Sequence, residues 1–380
     1  MPTILMLRDE QHSPFAFPLS PFAVFHYEDG LMLTGPRLAV DFRRRQPRGF
    51  VSHAHMDHMA RHELALATPA TAALYRHRLG PRLRVREMPF GEAIEFGGAK
   101  LTALPAGHCL GSAMLLAEQG GERLLYTGDF KLGDSLTAAP ADPPRADLLV
   151  MESTFGRPHY RMPPRQNVVE ELVQLVRQTL ADGRTPVIHA YALGKAQEVT
   201  KTLTTAGIPV LQHPEIYAIS RVYAECGMEL ATGDATVGEY PAGLDAGRAL
   251  AGHAVVTLPR SMKRFRLAGL GAKPQGPCVS IAVTGWAIDP GTRRRLAVDH
   301  ALPLSDHADF DHLVVLVHRV SRAPCTAPTA PRSLSNTSAA KASRGCVARP
   351  RPAAAQRRPQ TPRLRCASLR SPAPPCRSCR

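Results

Sequence analysis

Residues 51–58 read Val-Ser-His-Ala-His-Met-Asp-His, so four side chains able to bind a metal fall within six positions. In an extended segment residues two apart point the same way, which lets His53 and His55 present their imidazoles together. If the chain then turns into a helix, Asp57 and His58 sit near its first turn and face elsewhere. That geometry suits two adjacent ions better than one. The preceding Gly49–Ser52 reads as a short apolar strand, and the Ala/Leu-rich stretch from Met59 to Arg78 predicts mainly helix. A lone histidine is usually structural. Four liganding side chains at this spacing make a metal site, and neutral imidazole with carboxylate suits zinc.

The rest of the chain supplies further ligands. Short apolar runs at Phe22–Phe25, Leu31–Leu33 and Leu38–Val40 predict paired strands, and Asp41 ends the last of them as a candidate carboxylate beside the metal loop. His108 lies in a loop flanked by Gly107 and Gly111, and Asp129 follows the buried-strand pattern of Leu124–Tyr126. His53, His55 and His108 can then hold one ion, Asp57 and His58 the second, with Asp129 placed to bridge. The strand Asp147–Met151 ends at Glu152, a candidate site residue, with a helix N-cap at Ser153 as the plainer alternative. From about residue 160 to 290 the pattern becomes an α/β module. It has a helix over Gln166–Leu180, strands at Pro186–Ala190, Ala254–Leu258 and Cys278–Val283, and a helix opening at Gly194-Lys195. A strand, a glycine turn and a helix carrying Lys195 suit a phosphate, although the Walker A pattern is absent. Leu304–Phe310 sets His307 between Asp306 and Asp309, ahead of an apolar helix through Leu316.

Charge separates the tail from the body. The net charge is +15, but residues 323–380 hold twelve Lys/Arg and no Asp or Glu, leaving +3 for residues 1–322. Five of the eight cysteines also lie in that tail; Cys109, Cys226 and Cys278 show no ligand spacing and read as reduced thiols. No apolar run approaches the roughly 18 residues of a membrane helix. The opening residues are too short and too soon acidic for a secretory signal. A cytoplasmic chain with no membrane partner is expected.

In the order Asp41, His53/His55/Asp57/His58, His108, Asp129, Glu152, His307, the residues resemble the metallo-β-lactamase fold and, within it, the β-CASP nuclease family. Gly194–Glu198 and Ser305–Asp309 are most similar to the bacterial ligase-associated DNA exonucleases, a group also described as mRNA 3′-end-processing-like. The resemblance covers roughly residues 15–322. It implies an α/β fold, an αββα sandwich with an inserted β-CASP α/β domain. Residues 1–158 would form the first part of the core, 159–290 the insert, 291–322 the return to the core and 323–380 a basic tail. It further implies two zinc ions that activate a water and bind a phosphate oxygen. The activity it implies is a DNA exonuclease, with an RNA-processing nuclease as the alternative. Asp57 would orient the nucleophile as well as bind metal, and His307 paired with Glu152 would protonate the leaving oxygen or clamp the phosphate. Lys195 and Ser305, with Arg260 and Arg264, are the nucleic-acid contacts it suggests, a solvated surface charge being the plainer reading of each cation, and a DNA ligase or helicase is the partner it implies.

One part of the pattern is missing. The family closes its metal set with a motif of the kind V-Y-x-x-H-G, and here no histidine follows His318. One codon choice for Ala323–Pro331, read two nucleotides later, encodes Pro-Val-Tyr-Cys-Thr-His-Gly-Pro. The reading adopted is a frameshift shortly before Ala323, natural or in sequencing. A genuine basic tail that binds nucleic acid nonspecifically is the alternative. With the ligand missing, one zinc or two remain open, as does a nucleic-acid-binding protein with impaired catalysis. A hydrolase of small substrates on the same scaffold is a third reading, against which stand the insert and the Glu152–His307 pair.

Overall fold

Alternation with a period of two organises the first half of the chain. The computed structural model describes residues 5–8, 24–27, 30–240, 250–259 and 278–321. Strands Leu5–Arg8 (β1), Phe25–Tyr27 (β2), Leu31–Leu33 (β3), Leu38–Val40 (β4), Arg48–Phe50 (β5) and Leu64–Ala67 (β6) precede helix Pro69–Leu79 (α1). Val85–Glu87 (β7), Ala93–Phe96 (β8), Ala99–Pro105 (β9), Ala113–Gln119 (β10), Glu122–Tyr126 (β11) and Leu148–Met151 (β12) follow. β2 to β7 lie side by side in chain order, and a second sheet runs β1-β12-β11-β10-β9-β8.

The remaining elements are Arg165–Ala181 (α2), Thr185–His189 (β13), Lys195–Thr205 (α3), Val210–Gln212 (β14), Pro214–Glu225 (α4), Val237–Glu239 (β15), Ala254–Thr257 (β16), Cys278–Val283 (β17), Thr292–Leu296 (α5), His300–Leu302 (β18) and Phe310–Val320 (α6). They build a third sheet, all parallel, ordered β15-β14-β16-β13-β17-β18. This sheet runs past the boundary expected at residue 290, because β18 pairs with β17 through Ile281–His300 and Val283–Leu302.

Side-chain alternation sets the layers. Leu101 and Ala103 of β9, Leu115 and Ala117 of β10, and Leu124 and Tyr126 of β11 face Leu31, Leu33, Leu38, Phe50 and Leu66 of the first sheet. The intervening residues Met114, Leu116, Leu125, Leu149 and Met151 point the other way, onto Leu313, Leu316 and Val320 of α6. Those three positions recur at helical spacing and form its one apolar stripe. On the opposite outer face, Ala65 and Ala67 of β6 share a core with Leu74 and Tyr75 of α1. The layers are therefore helix, sheet, sheet, helix. That outer core continues into the insert, through Leu172 of α2, Val199 of α3 and Tyr223 of α4. Among the described residues no helix is long and apolar enough to cross a membrane.

Candidate metal centre

The metal loop leaves the buried end of β5, but not as the strand-then-helix expected. Residues 51–63 form bends and turns, Leu64–Ala67 returns as β6 parallel to β5, and helix begins only at Pro69, with Thr68 as its N-cap. The run Leu64–Ala67 is apolar on both faces, as an inner parallel strand is, and periodicity cannot separate such a run from buried helix. Thr68-Pro69 was the available signal, a capping hydroxyl followed by proline in the first helical turn. The bend itself is set by Asp41. Its backbone is left-handed, with φ of 53°. Its carboxylate accepts from Ser52 N at 2.8 Å and Ser52 Oγ at 2.6 Å, folding the loop back over the strand end.

Four imidazoles then converge on Asp129, which lies just past β11. Asp129 Oδ2 is 3.3 Å from His58 Nε2, 3.5 Å from His53 Nε2 and 4.0 Å from His108 Nε2. His55 Nδ1 lies 2.9 Å from His53 Nε2 and 3.2 Å from His108 Nε2. Ligand atoms of His53, His55, His108 and Asp129 all fall within 4.8 Å of one another.

The other ring nitrogen of each histidine is occupied. His58 Nδ1 donates to Asp41 Oδ2 at 2.8 Å, His108 Nδ1 to the Asp306 carbonyl at 2.9 Å and His55 Nε2 to the Leu193 carbonyl at 3.1 Å. Ser52 Oγ spends its proton on Asp41, so it accepts from His53 Nδ1 at 2.9 Å. These partners fix the tautomers that leave one acceptor nitrogen per ring facing the cluster. The residues fit a metal ion on this ground.

Electrostatics agree with the geometry. Burial holds the His53 imidazole well below its ordinary pKa and takes His55 down to about 4, so both are neutral as ligands require. Burial, then neighbouring His307, lowers His108 as well. Burial opposes charge on His58 too, but the Asp129 and Asp41 carboxylates hold it well above the usual value. Burial would raise Asp129, yet His58 and His307 keep it well below the carboxylate range.

Glu152 and His307 meet as a pair. His307 Nδ1 is 3.0 Å from Glu152 Oε2 and 4.0 Å from Asp129 Oδ2. Glu152 is itself fixed by Phe130 N at 2.7 Å and Thr154 Oγ1 at 2.6 Å. Burial works against a charged His307, but Glu152 and then Asp129 raise its pKa to about 10.

Other expected site residues stand differently. Asp57 is set apart from the cluster: its side chain is half exposed, 3.9 Å from His58 Nε2 and 3.7 Å from Arg43. Lys195 opens α3 at the pocket wall, but its side chain is buried with Nζ 3.2 Å from Asp306 Oδ1, so it does not offer a free ammonium to a nucleic acid. Burial explains this, since an unpaired ammonium there would be costly. Ser305 lines the pocket with its hydroxyl tied to the His307 main chain at 3.0 Å. Arg260, Arg264 and residues 323–380 lie outside the described residues.

The cluster opens into a pocket of about 560 Å³ whose lining includes His55, Asp57, His58, Asp129, His307 and Trp286. Sequence reasoning passed over Ser52, Tyr126 (whose hydroxyl donates to Asp41 at 2.8 Å) and Asp306. Ser52 and Asp306 adjoin His53 and His307, which was a usable signal. The Leu193 carbonyl had none, because any residue supplies one.

Residues 48–190 match the family described as the beta-lactamase superfamily domain. Over 305 residues, 78% of this chain, the sequence is 38% identical to a probable DNA ligase of Opitutus terrae and covers 28% of it. It is 32% identical over 199 residues to the 5′ exonuclease Apollo of Gallus gallus, 49% of this chain and 43% of that protein. It is 36% identical over 118 residues to the endoribonuclease YSH1 of Kluyveromyces lactis, 30% of this chain and 15% of that protein. The chain thus spans less than half the length of each of these relatives.

Proposed function

The chain belongs to the β-CASP nuclease branch of the metallo-β-lactamase superfamily, and on that premise we propose that it is a zinc-dependent phosphodiesterase that shortens DNA from an end. The observation that carries this reading is the cluster on Asp129 Oδ2, with each facing histidine held in its ligand tautomer by a second partner. His53 Nε2, His55 Nδ1, His108 Nε2 and Asp129 would hold the first zinc. His58 Nε2, with Asp57 and Asp129 beside it, would hold the second. Bound there, zinc would supply Lewis-acid polarisation of a phosphodiester oxygen and lower the pKa of a water toward neutrality.

The chain's own groups do the rest. Asp57, half exposed at the pocket, orients the attacking water. His307, kept protonated by Glu152, delivers its proton to the departing sugar oxygen. Glu152 cannot swing away, because Phe130 N and Thr154 Oγ1 anchor it. The insert carries one wall of the pocket through Tyr191, Leu193 and Trp286, which suits a long substrate better than a small one.

DNA is favoured because the relative matched over most of this chain is named a DNA ligase; work alongside a ligase follows as part of the proposal. RNA is the second reading, favoured by the match to an endoribonuclease. End-labelled single-stranded DNA and RNA, incubated with the zinc-loaded chain, test both. Stepwise shortening of DNA ahead of RNA is expected. Preferential internal cleavage of RNA would favour the second reading, and no cleavage of either would refute both.

A further inference from the structure

Trp286, the single tryptophan of the chain, stands in a one-turn helix, Gly285–Ile288, with 37% of its surface exposed. Its ring leans on Phe155, centroids 4.7 Å apart, and meets Tyr160 edge-on at 5.7 Å. Its position is thereby fixed while part of it stays open. Tyr191, just beyond β13, is 46% exposed. Eight large apolar side chains are exposed among the described residues, and three of them, Met56, Tyr191 and Trp286, line the metal pocket. Single exposed apolar residues need no explanation, but a group at one rim does.

A second cleft of about 100 Å³ shares Tyr191, Thr284 and Trp286 with the metal pocket, and its lining also includes Pro259 and Arg295. It lies beyond the carboxyl ends of β13 and β17, where open parallel sheets place their ligand crevices. Arg295 is exposed and follows Arg293 and Arg294 on α5. Flat aromatic faces beside exposed guanidinium groups are the chemistry that holds a single strand: bases stack while cations meet phosphates.

We propose that this cleft is a nucleobase subsite, in which a base next to the scissile phosphate stacks on Trp286 and Tyr191 while Arg295 meets the adjoining backbone phosphate. The inference rests on the phosphodiesterase reading and adds what that reading lacks, a reason for a single-stranded end rather than a duplex to enter.

Because Trp286 is the only tryptophan, its fluorescence reports this site alone. The full zinc-loaded chain is titrated with a short single-stranded deoxyoligonucleotide whose linkages resist hydrolysis. The titration is repeated with a counterpart that carries the same phosphates but abasic sugars at one end. Expected are quenched emission with the intact strand and binding weaker on the order of tenfold for the abasic one. Trp286→Ala, read by the anisotropy of dye-labelled strands because the tryptophan signal is gone, should remove that preference, and so should Tyr191→Ala, which keeps the tryptophan and tests the same cleft if the first variant folds poorly. Equal binding of both strands with unchanged emission overturns the subsite. If the zinc-loaded chain still shortens DNA in that case, only the subsite fails. If the strands are neither bound nor cut, the phosphodiesterase reading fails with it.

Discussion

Lys195 Nζ lies 3.2 Å from Asp306 Oδ1, and the main-chain carbonyl of that same Asp306 accepts from His108 Nδ1 at 2.9 Å. The first helix residue of α3 therefore braces a histidine of the metal cluster. Two residues earlier, the Leu193 carbonyl holds His55. Between them Gly194 adopts φ of 85°, and a Cβ there would stand 3.1 Å from the Cβ of Cys109. One short segment of the insert thus orients two imidazoles that belong to the sandwich.

Lys195→Met should act on stability and metal together. Removing one partner of a buried pair leaves the other uncompensated, which costs about 3–5 kcal/mol. Lys195 braces Asp306, whose carbonyl is the outer partner of His108, so zinc affinity should fall as well, by less than the roughly 10- to 100-fold that loss of such a partner itself brings. Urea unfolding and zinc competition against a chromogenic chelator read the two effects. Unchanged zinc affinity in a destabilised variant would reduce the pair to a structural role.

Glu152→Gln should spare zinc content and damage turnover. The carboxylate raises the His307 pKa to about 10, so the proton stays on His307 through neutral pH. Without that charge the alkaline limb of kcat/KM should move to lower pH. His307→Ala should lose about 10²- to 10⁴-fold in turnover. A pH profile identical to that of the parent chain would contradict the assignment of His307 as acid.

Asp41 gathers four hydrogen bonds, from Ser52 N, Ser52 Oγ, His58 Nδ1 and Tyr126 Oη. Asp41→Ala should loosen both His53 and His58 and reduce zinc affinity about 10- to 100-fold. The substitution also places alanine at φ of 53°, so Asp41→Asn, which tolerates that backbone better, separates the two effects. Isothermal titration with zinc reads both: a loss shared by the asparagine variant assigns the cost to the missing carboxylate and not to backbone strain.

Glu198 sets an acid limit on the contact between insert and core. Its carboxylate accepts from Ser135 Oγ, Leu136 N and Thr137 Oγ1 and pairs with Arg165. Burial would raise its pKa, but Arg165 and Lys131 hold it below the ordinary 4.5. A depressed carboxylate contributes stability that is present above its unfolded pKa and lost as pH falls through the folded value. Glu198→Gln should therefore be less stable than the parent at pH 7 by about 1–3 kcal/mol, with the gap closing below pH 4.5. Parallel urea midpoints across that range decide it; a constant gap would mean that charge is not the cause.

Much of this was legible in the residues. β3, β4 and β17 fall where the apolar runs predicted, since each run is short and bounded by turn residues. The ligand-capable side chains of His53, His55, His58, His108 and Asp129 were found because that chemistry tolerates few residue types. What was misread had a physical reason. Leu64–Ala67 carries no period because both its faces are buried. Lys195 looked like a phosphate ligand because a sequence shows its charge and not the carboxylate, more than a hundred residues away, that neutralises it. The Trp286–Tyr191 rim had no sequence signal, being assembled from loops after separate strands.

The most direct test counts zinc and measures cleavage in one sample of the full chain, before and after chelation, alongside His108→Ala. The same pair of measurements on a chain carrying the alternative reading of Ala323–Pro331 tests the origin of the tail. Bound zinc is expected, with DNA shortening that stops with chelator and returns with zinc. His108→Ala should lose both metal and cleavage, and the second zinc should bind more tightly when the alternative reading, with its further histidine, is restored. Cleavage that survives chelation, or a chain that binds no zinc in either form, would contradict the zinc-dependent reading.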